Sequence, residues 1–343
     1  NKEAAYLDAM ELIRQFSGLG KGDAGIAGGK GASLGEMTSA FAKASAGQAG
    51  WVSPVPPGFV VLAGAFEKFL DEANLNQELD TILDQEVRRD EIQSVDLASA
   101  KIQQLITRAK MPEDIAREIL ENFKTLDAEH VAVRSSATAE DGATAAWAGQ
   151  LETYLNTTEE DVLENVQKCW ASLFTPRAIF YRFEKGMHGT KISVAVVIQK
   201  MVQSEVSGIA FSVHPVTEDY NQMIIEAGFG LGEAIVSGQV TPDSYVIEKE
   251  PRRIIDKNIT YQNRALWRAG PSTSSGQANE WRELSESEGS KPALSDEQTM
   301  ELAEIVLKIE HHYGFPCDIE WAYEAGQFFI TQSRPITTLS KKS

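Results

Sequence analysis

Six side chains in three stretches of the chain have the types and spacing for phosphate and metal chemistry. Near the carboxyl end, Asp318-Ile-Glu320-Trp and Gln332-Ser-Arg334-Pro flank Glu324-Ala325-Gly326-Gln327, which reads as a β-hairpin with a short glycine-containing loop. With Ala325 to Gln327 as a three-residue loop, Glu320 falls opposite Gln332 and Asp318 opposite Arg334. All four then share one face, while Ile319, Trp321 and Tyr323 turn toward a core. A carboxylate and an amide oxygen on a rigid ribbon suit a hard divalent cation, and a guanidinium beside them suits a polyphosphate. An exposed polar face with a surface ion pair is the plain alternative from the hairpin alone.

The other two are Lys30 and Arg134. Lys30 ends the run Gly18-Leu-Gly-Lys-Gly-Asp-Ala-Gly-Ile-Ala-Gly-Gly-Lys30, at the start of a helical pattern over 31–44. Unpaired amides, the helix dipole and an ammonium there all favour an anion. The run is not a Walker loop, since Gly31 stands where Ser or Thr is needed and Ala24 where the first glycine is needed; nor does it fit GxGxxG. A glycine-rich helix entry with a solvated lysine is the competing reading. Arg134 follows the short apolar run Val131-Ala-Val and leads into small and hydroxyl residues as far as Trp147, a setting for bidentate phosphate contact under a closing loop.

The elements that must position these residues follow from periodicity. Helical spacing runs over 3–16, 31–44, 64–73, 76–86, 95–108, 112–125 and 159–184, the last broken near Pro176. Ser295 and Gln298 form a capping box for a helix ending at Tyr313 before Gly314. Strands are expected at 59–62, 192–199 and 208–213. Residues 223–247 read as strand, glycine turn, and helix or strand, and residues 269–292 as a loop insertion without a core-forming pattern.

Length and composition bound the function. A chain of 343 residues exceeds the usual size of one domain. Its net charge of −18 argues against nonspecific nucleic-acid binding and against docking on anionic membranes. Cys169 and Cys317 make neither a disulfide framework nor a zinc site, which fits a reducing cytoplasm. No apolar run is long enough for a membrane span, and the polar amino end, which begins at Asn1, is unlike a signal peptide and reads as trimmed. His311 and His312 are adjacent, which is poor chelating geometry, and His130, His188 and His214 stand alone. Ser135 and Ser136 have no evident His and Asp partners for a hydrolase triad.

Taken together, Gly-Gly-Lys30-Gly-Ala-Ser-Leu-Gly-Glu-Met, Val-Pro-Pro-Gly-Phe59, Val-Arg134-Ser-Ser-Ala-Thr-Ala-Glu-Asp, Ala-Gly149-Gln-Leu-Glu-Thr153, Ala-Gly-Phe-Gly-Leu-Gly-Glu233, Asp-Ile-Glu320-Trp-Ala and Gln332-Ser-Arg334-Pro resemble the nucleotide-binding domain of phosphoenolpyruvate synthase, pyruvate phosphate dikinase and rifampin phosphotransferase. They occur in family order over nearly the whole chain. The resemblance implies an α+β, two-lobed ATP-grasp-like fold, divided here as 1–205 with the lysine and arginine segments and 206–343 with the metal-binding hairpin, meeting near 200–208 and closing on MgATP. It implies transfer of the ATP β-phosphate to a histidine on a separate swivelling domain, releasing AMP and phosphate, with a small molecule such as pyruvate as final acceptor.

By motif, Lys30 and Arg134 contact ATP phosphates, Gly149 and Thr153 line the closing loop, and Gln199 sits near adenine. Glu320 and Gln332 hold Mg2+, and Arg334 binds phosphate. Gly142-Ala-Thr-Ala-Ala146-Trp147 departs from the family's Leu-Pro-Asp-Ala-Ser-Phe and loses a serine and an aspartate from that loop. No phosphohistidine segment is present, so the sequence predicts a donor domain that needs its histidine partner in trans or in a longer parent chain. A rifampin phosphotransferase-like or other water dikinase role, a non-catalytic ATP-sensing module and a carboxylate-amine ligase of the wider ATP-grasp type are the competing functions.

Overall fold

A computed structural model describes residues 10–44, 53–88, 90–138, 152–184, 193–270 and 278–339. The fold is α+β. The chain divides into two compact units, one of residues 1–36 and 57–201 and the other of residues 37–56 and 202–343. The main boundary thus falls at 201/202 rather than 205/206, and the stretch 37–56 belongs with the second unit.

The first unit contains strand β1 (Ile13–Gln15), the beginning of helix α1 (Ala24–Ala44) and strand β2 (Gly58–Val61). Helices α2 (Ala63–Glu72), α3 (Asn76–Gln85), α4 (Ile92–Arg108) and α5 (Glu113–Thr125) follow. Strands β3 (Val131–Ala137) and β4 (Thr153–Thr157), helices α6 (Val162–Ala171) and α7 (Pro176–Glu184), and strand β5 (Val194–Lys200) complete it. Its sheet is antiparallel throughout, in the order β1-β2-β5-β3-β4.

The two faces of that sheet do different work. Phe59, Val61, Val131, Val133, Val194, Val196 and Ile198 point into one apolar core with residues of all six helices from α2 to α7. Trp170 is fully buried there, its ring centroid 4.8 Å from that of Phe69 and 5.6 Å from that of Phe66. Helix α5 shows how sequence dictates this layer: Pro112 precedes it, Glu113 and Asp114 fill its first turn, and Ile115, Ile119 and Phe123 recur at helical spacing on the buried side. The intervening residues Ala132, Arg134, Ser136, Ala195, Val197 and Gln199 lie on the opposite face, where the first turns of α1 approach: a Cβ on Gly31 would stand 3.0 Å from Val60 Cγ2.

The second unit is a six-stranded antiparallel sheet in the order β13-β12-β6-β7-β8-β9. It is built from β6 (Val206–Phe211), β7 (Gln222–Phe229), β8 (Asp243–Glu248), β9 (Arg253–Asn258), β12 (Cys317–Glu324) and β13 (Gln327–Pro335). The short helix α8 (Glu233–Val236) follows β7, and a separate two-stranded ribbon pairs β10 (Arg264–Arg268) with β11 (Asn279–Glu283). After α9 (Glu286–Gly289), helix α10 (Asp296–Tyr313) packs on β7, β9 and β12, burying Leu302, Val306 and Ile309. Ser295 Oγ accepts the Gln298 N–H at 3.2 Å, Gln298 Oε1 accepts the Ser295 N–H at 2.8 Å, and Gly314 ends the helix at φ 74°.

Asp243, completely buried, ties the segments that precede β10 and α10 to the sheet. Its carboxylate accepts from the backbone N–H groups of Thr260 at 2.9 Å and Ala293 at 2.8 Å, and Gln262 beside it accepts the Phe229 N–H at 3.0 Å. Such satisfied buried polar groups fix loop geometry.

Three expectations are corrected. Residues 13–15 form an edge strand paired with β2, not the end of a helix, because Ile13 and its neighbours complete the sheet. Residues 279–283 are a strand, held by pairing with β10 and by Arg264 stacked 4.2 Å from the Trp281 ring, a long-range cause that a local pattern does not carry. Tyr323 is half-buried instead of lying in the core.

Candidate functional site

In the first unit the glycine-rich run is largely helical. Leu19 and Gly20 are extended, and within α1 the helix is broken at Gly28, at φ 67°, where it bends before Lys30. A Cβ at Gly28 would lie 2.2 Å from Ser136 Oγ and 2.4 Å from the Ser136 carbonyl oxygen, so only glycine lets the bend seat on β3. Lys30 Nζ donates to the Ser135 carbonyl at 2.8 Å. The Lys30 and Gly31 N–H groups both donate to Ser136 Oγ, at 3.2 and 3.4 Å. This corrects the expectation that those helix-start amides stand open for an anion: a serine from β3 takes two of them.

Arg134, 7% exposed, lies on β3 opposite Val197 of β5 and opposite Thr153 of β4. Gln199, 2% exposed, is opposite Ala132 and therefore shares Arg134's face as its diagonal neighbour, about 7 Å away. Lys30, Arg134, Thr153 and Gln199 are thus brought to one region of the first unit, on the face turned away from its apolar core. Gly149 and the altered loop 142–147 lie outside the described residues. Beneath this face Cys169 is fully buried, its thiol pushed up to about 12 by burial, which leaves it an inert core residue.

In the second unit Glu320 pairs with Gln332 and Asp318 with Arg334, as the sequence indicates, but by a different route. The turn has two residues, Ala325 at φ 50° and Gly326 at φ 82°, with Glu324 opposite Gln327. A bulge then shifts the register between Glu320 and Trp321: Trp321 faces Ile330, so Thr331 is the extra residue. The shorter turn and the bulge cancel.

Across the sheet this register creates two rows on one face: Ser244, Glu226, Ile209, Glu320 and Gln332, and beside it Val246, Ile224, Phe211, Asp318 and Arg334. On β6, β7, β8 and β12 every member of these rows is half-buried, whereas the alternate residues Ile225, Tyr245, Ile319 and Trp321 are buried under α10's side. Gln332 is buried and Arg334 exposed.

Arg334 Nε donates to Asp318 Oδ2 at 2.8 Å. Burial nevertheless holds the Asp318 carboxyl above its ordinary range, with Glu320 adding to the effect and Arg334 opposing it. Burial also raises Glu226, reinforced by Asp318. Glu226 is the residue that sequence spacing misses, because only the pairing of β7 with β6 and β6 with β12 brings it to this face. One intervening strand keeps Glu226 and Glu320 about 10 Å apart at the backbone. Among the described residues no three His, Cys, Asp or Glu come together to hold a metal ion. A cation at Glu320 would therefore use that carboxylate, the Gln332 amide oxygen and oxygens from its ligand or water, the donor set magnesium takes at phosphate sites.

The sequence profile of the family described as "Pyruvate phosphate dikinase, AMP/ATP-binding domain" matches residues 24–343. The chain belongs to this family. This domain is similar to a probable phosphoenolpyruvate synthase of Methanocaldococcus jannaschii, 44% identical over 97% of the present chain and 27% of the relative. It is 40% identical to phosphoenolpyruvate synthase of Pyrococcus furiosus, over 98% of the chain and 45% of the relative. Rifampicin phosphotransferase of Bacillus subtilis is 38% identical over 96% of the chain and 36% of its own length. The AMP/ATP-binding domain thus spans less than half of each of these relatives. None of its described helices is long and apolar enough to cross a membrane.

Proposed function

We propose that this chain binds MgATP and donates the ATP β-phosphate to a histidine on a separate swivelling domain, releasing AMP and phosphate, in a phosphoenolpyruvate synthase-like reaction with pyruvate as the final acceptor. The observation that carries the reading is the pairing of Glu320 with Gln332 beside Asp318 and Arg334 on one half-buried sheet face, in a chain whose other unit gathers Lys30, Arg134 and Gln199. Lys30, Arg134 and Arg334 offset phosphate charge, Gln199 meets adenine, and Thr153 lies beside the loop that carries Gly149. Glu320 and Gln332 hold the magnesium, which when bound neutralises phosphate charge and aligns the chain for in-line transfer. An ATP-grasp-like closure of the two units on the nucleotide belongs to the same reading.

The settings of the described histidines support the donor role. His214 Nδ1 accepts the Val216 and Thr217 N–H groups at 3.3 Å each, His311 and His312 lie in the last turn of α10, and His130 lies 3.9 Å from Glu129, settings that support local structural roles; His188 lies outside the described residues. The acceptor histidine then comes from elsewhere, and a reducing cytoplasm is the compartment. AMP release and acid-labile protein phosphate, measured with and without a family histidine domain in trans, test this. Slow AMP formation alone and rapid formation with the added domain are expected; rapid stoichiometric phosphorylation of this chain alone contradicts it. The Bacillus subtilis relative favours a second reading, a rifampicin phosphotransferase-like or other water dikinase with a different final acceptor. A non-catalytic ATP sensor would bind MgATP and form no AMP in either arm.

A further inference from the structure

We infer that Ser136 is a positioning residue for Lys30: its hydroxyl fixes the start of the helical piece that carries the lysine, and so where the ammonium meets phosphate. The inference rests on the MgATP reading above. Ser136 is 1% exposed and sits two residues beyond Arg134 on the same face of β3. Its Oγ accepts from Lys30 N–H, 106 positions away in sequence, and from Gly31 N–H.

These amides follow the break at Gly28, where the second helical piece of α1 begins, and a serine from a strand accepts them as a helix N-cap would. Two further contacts converge on the same dipeptide. The Gly28 backbone presses on Ser136 closely enough that a Cβ would overlap its Oγ, and the Ser135 carbonyl accepts the Lys30 ammonium at 2.8 Å. Ser135 therefore orients the lysine tip through its backbone, while Ser136 anchors the lysine's own backbone through its side chain. With Arg134 on the same strand, the hydroxyl sets the separation of two cations proposed to grip one phosphate chain. A serine that only stabilised the fold would not be coupled to Lys30.

The experiment is a double-mutant cycle read by calorimetric titration of MgATP into the wild-type chain, Ser136→Ala, Lys30→Ala and the double variant, with Ser136→Thr as the hydroxyl-keeping control. Ser136→Ala should weaken MgATP binding on the order of tenfold, and Ser136→Thr should recover most of it. In the Lys30→Ala background Ser136→Ala should add less than about twofold. Equal weakening in both backgrounds, or none in either, overturns the inference.

A second readout needs no nucleotide. The rate at which an amine-acetylating reagent modifies Lys30, followed by mass spectrometry, should rise severalfold in Ser136→Ala while exposed Lys110 is unchanged; an unchanged Lys30 rate also overturns the inference. Should Ser136→Ala not fold, Ser136→Cys keeps the volume and replaces the oxygen by a weak acceptor, with the same outcomes. Failure of the wild-type chain to bind MgATP, with Lys30 labelling still governed by Ser136, would remove the nucleotide reading and leave the positioning contact standing.

Discussion

Replacing Gly28 by alanine should be among the most damaging single-methyl changes in the first unit. Its φ of 67° with ψ of 170° is a glycine-only conformation that costs an L-residue about 1–3 kcal/mol. The new Cβ would meet Ser136 Oγ at 2.2 Å, its carbonyl oxygen at 2.4 Å and its carbonyl carbon at 2.6 Å. Two of these atoms are strand backbone, so relief requires the bend of α1 to lift away from β3. Lifting gives up the two N–H bonds to Ser136, each contributing about 1 kcal/mol. The sum is about 3–5 kcal/mol, or roughly 6–20 °C in melting temperature for a unit of this size. Thermal melting followed by circular dichroism measures it, with Gly25→Ala as the control: no atom lies within 4 Å of a Cβ there, and alanine in that helical turn should be neutral or stabilise by up to about 1 kcal/mol. If Gly28→Ala melts within about 1 °C of wild type, the seating of the bend on Ser136 is wrong.

Glu320→Ala should abolish metal-dependent phosphoryl transfer in a reconstituted assay while shifting the melting temperature little, because Glu320 is half-buried on a sheet face away from the core; an unchanged transfer rate would return it to an ordinary surface role. Trp170→Ala should cost about 3–5 kcal/mol in urea unfolding, since the indole is fully buried against Phe66 and Phe69, and a loss under 1 kcal/mol would contradict the described packing. Asp114 supplies a pH test. Burial raises its carboxyl, but hydrogen bonds from Lys68 and the Ile115 backbone outweigh burial and leave it below its ordinary value. A carboxyl lowered on folding stabilises above its unfolded pKa of about 4 and loses that stabilisation as pH falls through the lowered folded value. Wild type and Asp114→Asn should therefore differ in melting temperature at neutral pH and converge in acid; a constant gap would sink the linkage.

The helices were legible because their signals are local. Ser295 with Gln298, Gly314 after Tyr313, and Ile115, Ile119 and Phe123 at helical spacing each carry their cause within a few residues. The hairpin shows how a right juxtaposition can follow from a wrong part: a three-residue loop was expected, and a two-residue turn with a bulge at Thr331 gives the same pairs, because either arrangement adds one residue before Gln332. What was not legible depends on partners far away in the chain. Strand β1 is made by its pairing with β2, β11 by its pairing with β10, and Glu226 reaches the carboxylate face only through two strand pairings. The glycine run announced a close backbone approach, and its partner Ser136 lies 106 residues downstream, where no local pattern reveals the contact.

We propose that one MgATP draws on Glu320, Gln332, Lys30 and Arg134. Calorimetric titration of the purified chain with ATP, in the presence of Mg2+ and again with the metal chelated, tests it most directly. Binding with magnesium is expected, with a raised melting temperature at saturating MgATP, since a ligand of the folded state stabilises it, and substantial loss of affinity on chelation or in Glu320→Ala. No heat and no thermal stabilisation at millimolar MgATP, or identical binding with and without the metal, would contradict it.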